Sequence, residues 1–453
     1  MFDWTYRKRL KDDLEIWVAN GWVPSEGAAA ILRDQEQDDG RSRLPMALAG
    51  IGMVCVALAI FAFVAANWEA IPKAVKLAGI AVLVVGSHLL AASAATRGRK
   101  GISDLATGFA TLVFVGGMAL VGQIFHLPSD WAGGAFLVVV GGLAAAWLTG
   151  SKTSLVVACA AAVTWQVTRS DIGASDPMLD LVGLAFLVAV AGHAIIHPAR
   201  LSRWAAISLL WVTYGRWFAD TADLLGDGDD AISAMALVGA GGLAAILLQL
   251  DPVADLFVKW SSGRPLRRHG HWLMTRSLQD AGLLVLCALT VLALVLQPEF
   301  HGDDYIRGLL AMPGLLPLGG AVLLCATGLL LSFKSAKSMA LFAAAGLVLL
   351  ALLAPLATAS VPVRAAMCLA ALTALCALGT WYNNRAWMLC AYLGLTAVAL
   401  WLLQVTIGSL LGQSVFFLIA GLLLLAMALW LARLMRRGPS AAGSPAQDRE
   451  AGP

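Results

Sequence analysis

Along this chain, long apolar runs alternate with short polar joints, and the alternation predicts the architecture. Apolar residues run almost unbroken from Pro45 to Ala66, stop at Asn67-Trp68-Glu69, pass Pro72 and Lys73, and resume from Ala74 to Ala95. A run of that length crosses the roughly 30 Å hydrocarbon core as a single α-helix. The joint between them, FAFVAANWEAIPKAVKL at 61–77, has what a hairpin of two spanning helices needs. Trp settles at the headgroup level, and Pro opens the next helix where no donor is lost. Carried on to Leu434, the same reading predicts about fourteen spans, at 45–66, 74–95, 104–125, 132–149, 153–168, 177–197, 201–219, 231–250, 278–297, 309–333, 338–357, 361–381, 385–405 and 412–434. The expected fold is all-α, a polytopic transmembrane helix bundle.

The polar segments complete the plan. In residues 1–43, Leu10, Leu14 and Trp17 recur at helical spacing, Asn20-Gly21 supplies a stop, and Pro24-Ser25-Glu26 opens a second short helix, so a cytoplasmic helical hairpin is expected. This leader is too long and too charged for a cleaved signal peptide, which makes the first apolar run an uncleaved anchor. Residues 251–277 form the longest internal polar segment. Val253, Leu256, Phe257 and Trp260 share one helical face there, followed by Arg264, Arg267 and Arg268. Two readings fit: an amphipathic helix with its basic flank on anionic lipid headgroups, or an ordinary cytoplasmic anchor. The segment divides an eight-helix N-terminal bundle, 44–250, from a six-helix C-terminal bundle, 278–434. Residues 435–453, rich in Ala, Gly, Ser and Pro, read as a disordered tail.

Composition excludes a soluble protein: 60% of 453 residues are hydrophobic, 13% are charged, and mean hydropathy is +0.80. The net charge of +3 matters less than its placement. With a cytoplasmic N-terminus, most of the 31 lysines and arginines fall on inside segments, the exceptions being Lys73, Lys76, Arg169, Arg216, Arg307 and Arg364. That alternation predicts cytoplasmic N- and C-termini in a bacterial inner membrane. Seven cysteines lie inside apolar runs without a CxxC pair, and read as small buried hydrophobes.

Candidate chemistry gathers at the outer ends of the helices. Asn67 and Glu69 end the first span, and Gln123 and His126 end the third in GQIFHLPSDW. Short connections make the first three spans neighbours, so Asn67, Trp68, Glu69, Gln123 and His126 are expected in one outer-face polar cluster, roofed by Trp68 and Trp131. The cluster reads either as a binding site or as a hydrogen-bonded clip between helix ends. Arg216, near the outer end of the seventh span, is expected to pair with Asp180 of the sixth, with Asp220 as the rival partner. His193 and His197 have metal-compatible i, i+4 spacing, but His197 precedes Pro198 at the interface and reads as snorkelling. Pro313 and Pro317 in MPGLLPLGG are placed to interrupt the tenth span. The phosphate-binding, hydrolase and metalloprotease motifs are absent, and no cofactor, metal or nucleic-acid partner is expected.

The leader with NGWVPSEGAAAIL, then GIGMVCVALAIFAFVAANWEAIPKAVKL and VGQIFHLPSDW, resembles the bacterial membrane proteins catalogued as domain of unknown function 2157. The resemblance covers roughly residues 10–165 and rests on Asn67, Trp68, Glu69, Pro72, Gln123 and His126. It implies a bacterial inner-membrane protein and supplies no activity. Three classes therefore stand at this point: a transporter or flippase, a non-catalytic envelope scaffold, and, least supported, a membrane-embedded enzyme using Glu69 and His126.

Overall fold

The computed structural model describes residues 13–15, 17–31, 43–66, 70–126, 128–174, 176–225, 229–262, 269–296, 302–332 and 335–406. Among these, every regular element is helical: short stretches in 13–19 and 25–31, then α1 (Arg43–Ala66), α2 (Lys73–Thr96), α3 (Lys100–Ile124), α4 (Trp131–Thr149), α5 (Lys152–Thr168), α6 (Pro177–Ile196), α7 (Arg200–Leu225), α8 (Asp229–Ser262), α9 (His269–Val295), α10 (Gly302–Leu310), α11 (Met312–Leu331), α12 (Ala336–Leu352), α13 (Ala354–Ala357), α14 (Val361–Trp381) and α15 (Arg385–Thr406). Nine of the described helices are long and apolar enough to cross a membrane: α2, α3, α4, α6, α8, α9, α11, α14 and α15. Four more, α1, α5, α7 and α12, coincide with expected spans. Helix α1 is 24 residues long, its described apolar stretch being Leu48–Val64, while α5 and α12 are each 17 residues long, about 26 Å at helical rise against a core of about 30 Å. The remaining helix, α7, carries Arg203, Arg216 and Asp220 within its length. The expected span at 412–434 lies outside the described residues.

The chain packs as two compact units, 1–129 with 140–157, and 130–139 with 158–453. In the first, α3 is the centre, with α1 and α2 against it. Glycines allow the approach: a Cβ on Gly116 would strike the Phe61 ring of α1, and one on Gly117 would strike Ile80 of α2. Both contacts lie about two turns from where α1 and α3 end and α2 begins, so those two ends emerge on the same side.

The second unit is organised around α8, which packs against α9, α10, α11 and α12. Its core includes Leu237, Leu248, Leu286, Phe342 and Leu372, all fully buried. Here glycines meet backbone: a Cβ on Gly242 would sit 2.5 Å from Leu318 N, and one on Gly282 would sit 2.5 Å from Ala244 O. The division expected at 251–277 is not where this unit begins. Pro252 does not end α8, which continues to Ser262, and Val253 and Leu256 pack on the core. The basic residues Arg264, Arg267 and Arg268 lie outside the described residues.

Interruptions in this unit are repaired by side chains from other helices. Proline has no N–H, so it orphans the carbonyl four residues before it. Pro317 sits inside α11, and the Pro313 carbonyl accepts from the Tyr214 hydroxyl at 3.0 Å. Pro252 likewise frees the Leu248 carbonyl, which accepts from Gln279 Nε2 at 3.4 Å. The Tyr305 hydroxyl donates to the Leu352 carbonyl where α12 gives way to α13. The interruption expected at Pro313 and Pro317 falls at Ala311, whose extended backbone separates α10 from α11, while Pro317 is accommodated.

Candidate functional site

The most concentrated ionic chemistry among the described residues stands at the turn joining α5 to α6 and at the end of α7. Asp176 caps α6 by accepting from Met178 N at 2.9 Å, with Pro177 in the first turn, and this fixes Asp180 on the same turn. Asp220 lies one turn beyond Arg216 on α7 and accepts from its guanidinium, at 3.1 Å from Nε and 3.0 Å from NH2. The α5–α6 turn folds over that pair. Arg216 also donates to the Ser170 carbonyl at 3.1 Å, the Ser170 hydroxyl at 2.8 Å and the Asp171 carbonyl at 2.9 Å, while Gly173 N donates to Asp220 at 3.1 Å. Gly173 is required there: its φ is +89°, and a Cβ would lie 2.0 Å from Asp223 Oδ2.

Arg169 joins this pair to the neighbouring helix. Its NH2 pairs with Asp180 and stands 3.5 Å from Asp220, and its guanidinium carbon lies 5.6 Å from the centre of the Trp165 ring. Trp165 packs with Phe136 and Phe186 one turn below, walling the network off with aromatic rings. Arg216 is therefore held by Asp220, and Asp180 is taken by Arg169, in place of the expected Asp180–Arg216 pair. The reason is reach: Asp220 is the i+4 neighbour of Arg216, while Arg169 at the end of α5 faces the first turn of α6. The sequence reading missed Arg169, which it placed among the outside-loop charges.

The expected outer-face cluster is described only in part. Asn67, Trp68 and Glu69 lie outside the described residues. Gln123 is exposed on the last turn of α3, because the neighbouring Ile124 takes the buried face, and its side chain has no hydrogen-bond partner among the described residues. His126 is exposed in the left-handed region with φ 50°, ending the helix. Trp131 is 75% exposed, as an interfacial anchor would be. Beneath this end, α1, α2 and α3 bound an apolar cleft of about 180 Å³ lined by Phe61, Val75, Lys76, Gly79, Ile80 and Leu83 among others.

Three interhelical clips escaped the sequence reading. Asp104 of α3 caps α5, accepting at 2.7 Å from both Ser151 Oγ and Lys152 N and at 3.1 Å from Thr153 N. Deeper on the same helices, Thr111 Oγ1 and Ser154 Oγ lie 2.8 Å apart. In the second unit, Asp280 accepts from Trp387 Nε1 at 2.7 Å and Asn384 Nδ2 at 3.2 Å, tying α9 to the α14–α15 turn. His193 is fully buried, and His197, the one expected to snorkel, is half-buried with its ring 4.8 Å from that of His193. No group of three metal-ligating side chains occurs among the described residues, and the cysteines there are free, most of them buried.

Helices of spanning length, apolar surfaces and an ionic network gathered at helix ends define a multi-pass membrane protein of all-helical build. Residues 15–155 match the family model described as predicted membrane protein, domain of unknown function 2157. That match covers the leader from residue 15, α1 to α4 and the start of α5, with Asn67, Trp68, Glu69, Gln123, His126 and Asp104 inside it and the α5–α7 network beyond it. No curated protein and no solved structure matches the chain.

Proposed function

We propose that the chain is a transporter-like helix bundle of the bacterial inner membrane, with about fourteen spans and both termini cytoplasmic, that moves a solute or a lipid. The observation that carries this reading is the Arg169–Asp180–Asp220–Arg216 network, buried at all of its members but Asp180. Ionisable side chains among membrane helices are costly to keep, and they are retained chiefly along ion and substrate paths. This network is neutral as a whole but not fully satisfied, because Nε and NH1 of Arg169 are buried without an acceptor. A closed structural clip, such as Asp104 over the start of α5, leaves no such remainder. The Asn67, Trp68, Glu69, Gln123 and His126 set is a second candidate contact point, its two flanking helix ends lying on one side of the first unit. Anionic lipids at Arg264, Arg267 and Arg268 complete the reading on the cytoplasmic side.

The test is reconstitution in liposomes with a panel of ions, small solutes and labelled phospholipids. Movement above protein-free vesicles, lost in Asp180→Asn with folded yield retained, is the expected result. Wild-type protein that is folded and moves nothing across the panel overturns the reading.

The alternative, a non-catalytic envelope scaffold, is favoured by α2, of which only 11% of the most apolar window is buried among the described residues. A helix with that much free surface suits lateral contact with a partner. Retained crosslinking to one envelope protein by a chain inert in the transport panel would decide for it.

A further inference from the structure

The α5–α7 network leaves two kinds of buried atom unanswered, and they are complementary. Arg169 has a side chain only 3% exposed, and its Nε and NH1 donors find no acceptor. Gln166 stands one turn earlier on α5, on the same face, and its buried Oε1 finds no donor. The glutamine is built into its place: its Nε2 donates to Thr213 Oγ1 at 3.1 Å, and Gly183 makes the room, since a Cβ there would lie 2.4 Å from Nε2. An unmet acceptor thus stands a turn from unmet donors, and each is costly to leave buried without a partner. The two carboxylates that hold Arg169 also differ. Asp220 is 5% exposed and bound by Arg216 and Gly173 N, whereas Asp180 is 39% exposed and has Arg169 as its partner.

We infer that Asp180 is a proton-binding site and that Arg169 is its latch. This deepens the transport reading by naming a proton as an ion the network takes, though proton binding itself does not depend on that reading. A proton from water forms an O–H bond on the Asp180 carboxylate and cancels its charge. Arg169 then leaves Asp180, keeps Asp220, and turns its free N–H groups to Gln166 Oε1; loss of the proton reverses the step. The surroundings suit the change, because protonation leaves one net positive charge on the four-residue network. Around Asp180, the connecting turn brings Asp171 and Asp176, α7 brings Arg216, Asp220 and Asp223, and α4, whose Phe136 meets Phe186, begins beside Asp130. The charged residues of α9, Arg276 and Asp280, stand near its start, which Ser277 ties to Arg203 at the opposite end of α7.

The experiment is infrared difference spectroscopy of the full chain in lipid nanodiscs, without cargo, across the pH range in which carboxyls titrate. Expected are a protonated-carboxyl band that is lost in Asp180→Asn, and a midpoint that falls by roughly one pH unit in Gln166→Leu. The sign follows from Gln166 stabilising the protonated state alone, so that its removal makes protonation harder. A band unchanged in Asp180→Asn overturns the site, and an unmoved midpoint in Gln166→Leu overturns the latch. If Asp180→Asn does not fold, the Gln166→Leu midpoint decides alone. Since no cargo is present, failure of the transport panel and failure of this titration are separate results.

Discussion

Helices α2 and α8 have nearly the same hydropathy, 2.0 and 2.2 over their most apolar windows, yet 11% of the first and 67% of the second is buried. Glycine marks the difference. On α8, added Cβ atoms at Gly239 and Gly242 would meet backbone of α11, whereas at Gly79 and Gly86 on α2 they would meet nothing within 4 Å. In water the more apolar helix is the more buried one, because burial follows the removal of apolar surface from solvent. In a bilayer the tails are as apolar as leucine, so small residues and polar groups decide which helix becomes the core. The second unit has both: close glycine contacts around α8 and an ionic network at the end of α5, α6 and α7. Within the first unit, α2 keeps an apolar surface that the described residues of that unit do not cover.

That contrast breaks hardest at Asp220. Replacing it with Ala strands Arg216 and half-strands Arg169 among buried groups, and removing one partner of a buried pair costs about 3–5 kcal/mol. The expected outcome is sharply reduced folded yield and thermal stability in detergent. A substitution as well tolerated as a surface change would mean that water reaches the network. Next in size is Gly242→Val, whose Cβ would lie 2.5 Å from Leu318 N and 2.6 Å from the Pro317 carbonyl carbon. Backbone cannot step aside as a flexible side chain can, so a loss of about 1–3 kcal/mol or more is expected, read as a lowered melting temperature.

These sites also mark how far the sequence could be read. The apolar runs placed α1 to α9, α11, α12, α14 and α15 because helix length in a membrane is fixed by bilayer thickness. Proline located the interruption before α11 to within two residues, since the missing N–H and the fixed φ act locally. What answers the freed carbonyls was not legible: Tyr214, Gln279 and Tyr305 come from other helices, and nothing local marks them. The same holds for the ionic network. Arg216 and both of its weighed partners, Asp180 and Asp220, were named, but the choice between them depended on Arg169, which reads as one more loop charge until α5 and α6 are set side by side. At the other candidate site, Gln123 and His126 were singled out by motif, and their exposure follows from which face of α3 Ile124 buries.

A smaller effect is expected in the first unit at Asp104. Its carboxylate answers Ser151 Oγ, Lys152 N and Thr153 N at the start of α5, and losing a side-chain cap of this kind costs about 1–2 kcal/mol. Asp104→Ala should lower the melting temperature, and Asp104→Asn, which keeps an acceptor oxygen, should recover part of the loss. Equal effects of the two would assign the contribution to charge at the helix start rather than to the hydrogen bonds.

The smallest expected effect is the most informative about α2. Gly86 lies mid-helix with open space where a Cβ would go, and Ala is the better helix former by up to about 1 kcal/mol. If α2 faces lipid tails, Gly86→Ala should leave stability unchanged or raise it slightly, because the added methyl only displaces acyl chain. If instead α2 packs closely on a second protein, the glycine lets the backbones approach, and the added methyl should weaken that contact while the isolated chain stays as stable as before. Melting temperature in detergent reads the first quantity and crosslinking in native membranes reads the second. A neutral melt with unchanged crosslinking leaves α2 a lipid-facing helix and keeps the contrast with α8 intact. A neutral melt with lost crosslinking makes its open face an interface, and moves the weight of the first unit from transport to assembly.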